Sequence, residues 1–474
     1  MRKALLYLAF LGWAGGALGQ APAWVLRNTA GTPQSAPAKR AWQTATINAT
    51  TAWQLMGNDG SLFATHVAHT TNGTTWTYLP ITGTPGFSAG SISAIDANTA
   101  YVSQYNTATD SGGEVLKTTN GGVTWTKVTT TQFTSPGSYL NWVHFFDALT
   151  GVAFGDPIAG NFEVYRTADG GATWQRVAPA NLPAARAGEG GALLSYCAQG
   201  NTVWAGTGLY VLPNARPVRI YKSADRGLTW TASALTPLLY GVQGMAFQDQ
   251  NNGIAYNTPF YNSVSMIKTT DGGTTWFSIT PAPTARGRFR TTAIDAIPGA
   301  FLSVGATLDN TSIPETDRGS SVSADGITWR DIDGGPTAAA YVTIDALSPT
   351  VAFAGAYTAG PAAPQPGSGG MYQLTGNLLV PLPARHAAQP AQVSAYPNPS
   401  ADGVFEVALG ADAASGAHLR ARDVLGREVF YQRVSAAAAA AQRSTVDLSR
   451  ASPGVYTVEL RTATTLTQYR VAIK

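Results

Sequence analysis

"KTTNGGVTW", Lys117 to Trp125, decides the fold, because the chain keeps returning to it. "RTADGGATW" ends at Trp174, "KSADRGLTW" at Trp230 and "KTTDGGTTW" at Trp276, while the shorter "TTNGTTW" and "SADGITW" end at Trp76 and Trp329. The six tryptophans are spaced by 49, 49, 56, 46 and 53 residues. A period near fifty with strand-like composition indicates propeller blades of four antiparallel strands rather than a helical solenoid.

The turn itself has a physical logic. A short Asp or Asn side chain accepts hydrogen bonds from backbone N–H groups just downstream, and glycine takes the positive φ that the bend requires. Asn72, Asn120, Asp169, Asp225, Asp271 and Asp325 hold that position. Threonine and tryptophan then begin the next strand, where β-branched and aromatic side chains suit a half-buried pleat. The tryptophans are expected at the interfaces between blades, and the acidic residues are expected to be structural.

The segments before each turn repeat one order. "VHFFDALTGVAFGDP" (143–157) reads strand, turn, strand, and "VQGMAFQDQNNGIAYN" (242–257) repeats it. "YVTIDALSPTVAFAGAY" (341–357) begins in the same way, but no tryptophan turn follows. These segments give an all-β chain with a seven-bladed β-propeller over 20–384, its last blade degenerate, six blades being the alternative count. A strand near "APAWVLRN" or "AWQTATI" is expected to complete the ring, since closure removes exposed sheet edges. The turns resemble the Asp-box repeat of sialidases and related propellers. Together with 143–157, they also resemble the photosystem II stability and assembly factor family, over about residues 40–380. The first resemblance implies that the turns lie between the third and fourth strands of each blade and face away from the ligand-binding side.

Only 12% of residues are charged, 51 are glycine, and the net charge of +3 forms no run, so no nucleic-acid partner is expected. Arg2 and Lys3 precede "ALLYLAFLGWAGGALG", and residues 1–19 read as a signal peptide rather than a membrane anchor, the apolar run being short. Cys197 is the single cysteine, so the exported fold is expected to rely on burial and hydrogen bonding without a disulfide. The five histidines show no metal-ligand spacing, His66 and His69 read as core or surface histidines, and no metal or cofactor is expected.

After a Pro/Ala-rich linker over 385–394, residues 395–474 alternate like the strands of a small Ig-like β-sandwich. The alanine run Ala436–Ala441 lies between strand patterns and reads as a loop. Tyr396, Pro397, Asn398, Pro399 and Gly403, then Gly426, then Gly454 and Tyr456, resemble the C-terminal sorting domain of the type IX secretion system, an ordinary carbohydrate-binding or Ig-like module being the alternative. That resemblance implies export through the periplasm to the cell surface or beyond in a Bacteroidetes-type bacterium. The implied partner is the translocon, with membrane contact only through surface attachment.

Ligand-binding candidates are read from the loops opposite the repeated turns. They are Tyr105, Asp156, Arg186, Glu189, Arg216, Tyr240, Arg286, Arg288, Arg290, Glu315 and Arg318, with Asp110 and Asp317 nearby. Arginines and carboxylates around a propeller mouth suit an anionic or sugar-like ligand or a surface protein. The expected function is a binding scaffold, and a sialidase-like glycosidase is the alternative. Resemblance to sialidases would require three arginines, a tyrosine nucleophile assisted by a glutamate, and an aspartate acid/base. No Arg-Ile-Pro segment precedes the first turn, and Arg219 falls in a turn-leading strand of blade four. No catalytic residue is assigned. Phosphate-loop and dinucleotide motifs are absent from the sequence, and the one Gly-x-Ser-x-Gly string, "GFSAG" (86–90), runs on into a strand pattern rather than into the helix that a nucleophile elbow needs.

Overall fold

The computed structural model describes residues 22–27, 39–58, 64–128, 132–209, 216–260, 263–283, 293–305, 318–334, 339–356, 370–379, 395–409, 417–424, 426–461 and 466–474. Contacts divide the chain into two units, Met1–Pro381 and Leu382–Lys474. The expected signal peptide and linker lie outside the described residues.

The first unit is a seven-bladed β-propeller. Blades one to five each have four antiparallel strands that follow in chain order from the axis outward; blade six adds Ala282–Pro283 as a fifth strand, parallel to its outer strand, and blade seven takes its outermost strand from elsewhere in the chain. The innermost strands are Lys39–Thr46, Phe87–Ala94, Leu140–Phe145, Glu189–Gln199, Gly244–Phe247, Ala293–Ile297 and Tyr341–Ser348. Each packs beside the next, and the seventh returns to the first. Second strands such as "AYVSQYN" (100–106) and the start of "GVAFGDPI" (151–158) are buried on both faces, because a neighbouring blade covers each side. Fourth strands such as Thr126–Lys127 and Gln175–Arg176 are exposed.

Blade seven is completed from the other end of the chain. Ala23–Leu26 pairs antiparallel with Met371–Thr375, matching Trp24 with Leu374. "APAWVLRN" is therefore the closing strand, and "AWQTATI" belongs to the inner strand of blade one. The closing strand also brings an indole to the blade that has no tryptophan turn. Trp24 lies 5.7 Å from the Tyr341 ring and donates its N–H to Ser320 Oγ of blade six at 2.8 Å.

Seven apolar clusters fill the seven interfaces. Trp76 packs with Phe353 and Met371 between blades one and seven, and Trp125 with Trp53 between two and one. Trp174 joins Tyr101, Trp230 joins Phe154, Trp276 joins Trp204 and Trp329 joins Tyr256 at the next four. Leu302 and Ile344 meet at the seventh. All six turn tryptophans are buried.

The hydrogen bonds of the turns follow the sequence logic. In the four longer copies a leading hydroxyl (Thr118, Thr167, Ser223, Thr269) accepts from the N–H of Gly122, Gly171, Gly227 and Gly273 at 2.8–3.0 Å. Oδ1 of Asn120, Asp169, Asp225 and Asp271 accepts from the N–H of the threonine before tryptophan at 2.9–3.0 Å. Asp271 Oδ2 also accepts from the Thr275 hydroxyl at 2.6 Å, whereas Asn120, having an amide there, donates to Thr124 Oγ1 at 2.8 Å. Two consecutive positive-φ residues make the bend in these copies; in blade four the first is Arg226, φ 59°. Its guanidinium ties the turn to Asn201 and to Asp147 of blade three. The shorter copies keep the cap and use one positive-φ glycine, Gly73 or Gly326.

The second unit is a small β-sandwich of a three-stranded sheet and a four-stranded sheet. Phe405, Val407, Leu419, Val446, Val458 and Val471 are in its core. The alanine run corrects the loop reading, because Ala436–Ala440 is a short α-helix. Ser435 caps it by accepting from the Ala438 N–H at 3.1 Å, and the cap together with alanine's helix propensity outweighs the flanking strand pattern.

Candidate functional site

A propeller's axis is a common place for a ligand, but here side chains of blade four reach across it. The inner strand of blade four carries a wide bulge between Gly191 and Tyr196, with Leu194 at φ 60°. Leu193 reaches Gly90 of blade two. Tyr196 stacks on Trp142 at 4.5 Å, and its hydroxyl accepts from Gln43 Nε2 of blade one at 3.2 Å. Blades four and one are not neighbours, so this side chain bridges across the axis.

Around the axis, inner strands are laced by side chains that accept N–H bonds from the next blade. Gln43 takes Ile92, Ser91 and Ser93 take Val143 and Phe145, and Thr343 takes Thr44. At the closing seam the acceptors are carboxyls: Asp295 takes the Ala346 N–H at 2.6 Å, and Asp345 takes that of Thr46. Burial raises the pKa of both, and for Asp295 the Asp345 charge raises it further. Cys197 lies on the inner strand of blade four, and burial pushes its thiol well above the ordinary range, so it is a poor nucleophile. His69 stacks on Trp53 at 4.1 Å and is lowered to about 4 by burial; His66 stacks on Tyr78 at 4.5 Å. Among the described residues no group of three or more His, Cys, Asp or Glu could hold a metal ion.

At the end opposite the repeated turns, four carboxylates among the described residues act as staples. Glu114 accepts from the Thr84 hydroxyl at 2.9 Å and pairs with Lys127 at 2.8 Å. Glu163 accepts from Ser138 Oγ at 2.6 Å and Tyr165 Oη at 3.0 Å. Asp156 accepts from Asn141 Nδ2 at 2.8 Å and the Gly191 N–H at 2.9 Å, joining blade three to blade four. Glu189 accepts from the Arg186 N–H at 2.8 Å and from both Nε and Nη2 of Arg219, at 3.1 and 2.5 Å. The Tyr221 hydroxyl completes that set, 3.2 Å from Glu189 and 2.6 Å from Arg219. A Tyr–Glu–Arg constellation therefore exists, but its tyrosine is fully buried in an interface cluster. Burial and the Glu189 charge push the Tyr221 hydroxyl upward, the opposite of an activated nucleophile.

The other candidates fall as follows. Arg186 is exposed and donates to the Pro217 carbonyl at 2.9 Å, beside exposed Arg216. Tyr105 is buried against Tyr139, ring centres 5.1 Å apart, and burial raises its pKa. Tyr240 is half-buried at φ 73°, Arg318 is half-buried, and Asp110 is exposed at φ 47°. Arg286, Arg288, Arg290, Glu315 and Asp317 lie outside the described residues. Tyr221 is not among the sequence candidates, and Arg219 is named there only as part of a turn-leading strand; strand alternation is the one local signal that relates the two, and their meeting with Glu189 is a tertiary fact.

In the C-terminal unit the Tyr-Pro-Asn-Pro stretch works as a clasp on the last strand. Asn398 Nδ2 donates to the Arg470 carbonyl at 2.8 Å, and Oδ1 accepts from the Ala472 N–H at 3.0 Å. One side-chain amide thus mimics a strand partner. Ser400 continues the pairing, donating its N–H to Ala472 O at 2.8 Å and accepting from the Lys474 N–H at 3.0 Å. The Tyr396–Pro397 and Asn398–Pro399 peptides are both cis. Gly403 has φ 76°, and a Cβ there would lie 2.8 Å from the Leu448 carbonyl oxygen. Gly426, φ 81°, closes a turn capped by Asp423. Gly454 opens the strand in which Tyr456 enters the core and donates to Ser452 O at 2.6 Å.

Among solved structures, the chain is similar to YCF48 bound to D1 peptide, at 14% identity over 75% of this chain and 97% of that one, TM-score 0.48. It is similar to a protein of unknown function from Dyadobacter fermentans DSM 18053, at 12% identity over 76% and 98%, TM-score 0.42. A third is the Trypanosoma rangeli sialidase in complex with 2,3-difluorosialic acid, at 11% over 96% and 88%, TM-score 0.41. No curated protein matches the chain. Residues 394–474 match the secretion system C-terminal sorting domain, which marks the protein for recognition by the type IX system and export to the cell surface or extracellular space.

Proposed function

We propose that the exported propeller is a binding or interaction scaffold at or beyond the cell surface, and that its ligand, a glycan or a surface protein, meets the loops opposite the repeated turns. In this reading residues 1–19 are a signal peptide removed on export, and the host is a Bacteroidetes-type bacterium. Residues 385–394 link the ring to a sorting domain over 395–474.

The observation that carries the scaffold reading is the state of four carboxylates at the loop end, taken among the described residues. Glu114, Asp156, Glu163 and Glu189 are each held by loop or strand donors. A glycosidase needs carboxyls, or a Tyr/Glu pair, open to substrate, and Tyr221 with Glu189 is enclosed. The test is to offer the purified protein a panel of fluorogenic glycosides, sialosides included, beside a glycan array. Retention on the array or on cell-surface material without release of fluorophore is the expected outcome. Robust turnover of any glycoside would overturn the reading.

A further inference from the structure

The two outer faces of the C-terminal sandwich differ in charge. Leu419, Ala421, Val458, Leu460 and Val471 point into the core, so their strand neighbours point away from it. On the four-stranded sheet this places Arg420, Arg422, Arg433, Arg461 and Arg470 outward, with Glu428 and Glu459 the only carboxylates among them. The excess is 5 − 2 = 3 positive charges, against 30 − 27 = 3 for the whole chain. The outer face of the smaller sheet carries Glu406, Asp447 and Arg443. Charge is thus segregated to one face of a chain that is otherwise balanced.

Two arginines on the basic face are internally engaged. Arg420 lies 3.5 Å from Glu428 and 5.3 Å from the Tyr431 ring centre, and Arg422 lies 3.7 Å from Glu459. Arg433, Arg461 and Arg470 are exposed and have no carboxylate partner among the described residues. Arg433 and Arg461 share one cross-strand row through His418; Arg470 lies two rows away through Thr457 and Arg422. The sorting motif adjoins this face, because Asn398 clasps the backbone of Arg470 and Ala472. Exposed Tyr431 adds an aromatic anchor of the kind enriched at protein interfaces.

We infer that this arginine face is the docking surface of the sorting domain and that its partner is an acidic protein surface of the export machinery. The proposal rests on the assignment of residues 394–474 as a sorting domain. Interspersed glutamates and a stacked tyrosine suit a patterned protein surface rather than a uniformly anionic lipid layer. Unpaired guanidiniums held on a rigid sheet present planar, bidentate donors to carboxylates at little ordering cost.

The test compares three forms of the full chain in a type IX-competent host. Arg433→Glu/Arg461→Glu/Arg470→Glu reverses the face, Arg427→Glu/Arg443→Glu/Arg450→Glu makes the same charge change off it, and a third form lacks residues 394–474. The expected result is a tenfold or greater loss of secreted protein for the face reversal, with periplasmic accumulation and an unchanged melting temperature, while the off-face form exports normally. Should the triple variant fail to fold, Arg461→Glu alone is expected to show the same direction. Normal export of the face-reversed chain overturns the docking surface, as does equal impairment of the off-face form. Salt-dependent binding of phosphatidylglycerol vesicles that the reversal abolishes, with export intact, overturns it in favour of a lipid. Normal export of the form lacking 394–474 instead overturns the sorting assignment itself.

Discussion

Replacing Trp329 by alanine tests the wedge between blades directly. Its side chain is fully buried among Ile254, Tyr256, Met266 and Phe301, and its indole N–H donates to Gly326 O at 3.1 Å. Truncating a buried aromatic costs about 3–5 kcal/mol, through lost burial and the cavity left behind. A ring of roughly 350 residues unfolding as one unit has an unfolding entropy of about 0.7 kcal/mol/K, so the melting temperature should fall by about 4–7 °C. Trp329→Phe retains most of the packing and gives up the indole bond, for which about 1 kcal/mol is expected along with a correspondingly smaller shift. Phe277→Ala, at a side chain 47% exposed on the outer strand of blade five, should stay within about 0.5 kcal/mol. Near-ultraviolet circular dichroism during a thermal ramp reads all three. A Trp329→Ala protein melting within a degree of the parent would refute the argument that buried indoles hold the blades together.

Gly326 and Gly86 share a positive φ, 74° and 82°, but a Cβ on Gly326 would lie 2.7 Å from Ile254 Cγ2 while one on Gly86 meets nothing within 4 Å. Gly326→Ala should therefore destabilise clearly more than Gly86→Ala, for which backbone strain of about 1–2 kcal/mol is the whole cost; equal melting shifts would contradict this. Glu189→Ala takes the carboxylate from the half-buried guanidinium of Arg219, which keeps only the Ala184 carbonyl and the Tyr221 hydroxyl, so a loss of about 2–3 kcal/mol is expected, and Glu189→Leu/Arg219→Met should recover much of it in a double-mutant cycle. Asp345 is raised to about 6, so it contributes stability that is fully present below the ordinary carboxylate range and is lost as pH rises through about 6. Asp345→Asn should flatten that part of the melting-temperature profile. The Thr173 hydroxyl and N–H hold Asp169 down to about 2, so its contribution has the opposite sign and is lost as pH falls toward 2; Asp169→Asn should blunt the acid side.

What the sequence revealed and what it hid follow from how far apart the interacting residues lie. The turn at Asp271 was legible because the hydroxyl, carboxylate and threonine that make it lie within seven residues. The burial of Trp276 followed from its position at the start of a strand. Closure by Trp24 was only one of two options, because its partners Ser320 and Tyr341 are some three hundred residues away and no local pattern names them. The Glu189–Arg219–Tyr221 set was missed because it forms between the first and third strands of one blade. The bulge that carries Tyr196 across the axis left no period to read, since "GALLSYC" (191–197) passes as an ordinary apolar strand. In the tail, the clasp of Asn398 on Ala472 spans 74 residues; the motif was visible but its mechanical role was not.

The central claim is that the C-terminal domain carries a closed propeller out of the cell. The most direct measurement is quantitative fractionation of a type IX-competent host producing either the full chain or the chain ending before residue 394. The account predicts that the full chain reaches the surface or medium, and that the shortened one collects in the periplasm as a folded, protease-resistant ring. Equal appearance of both forms outside the cell would contradict it.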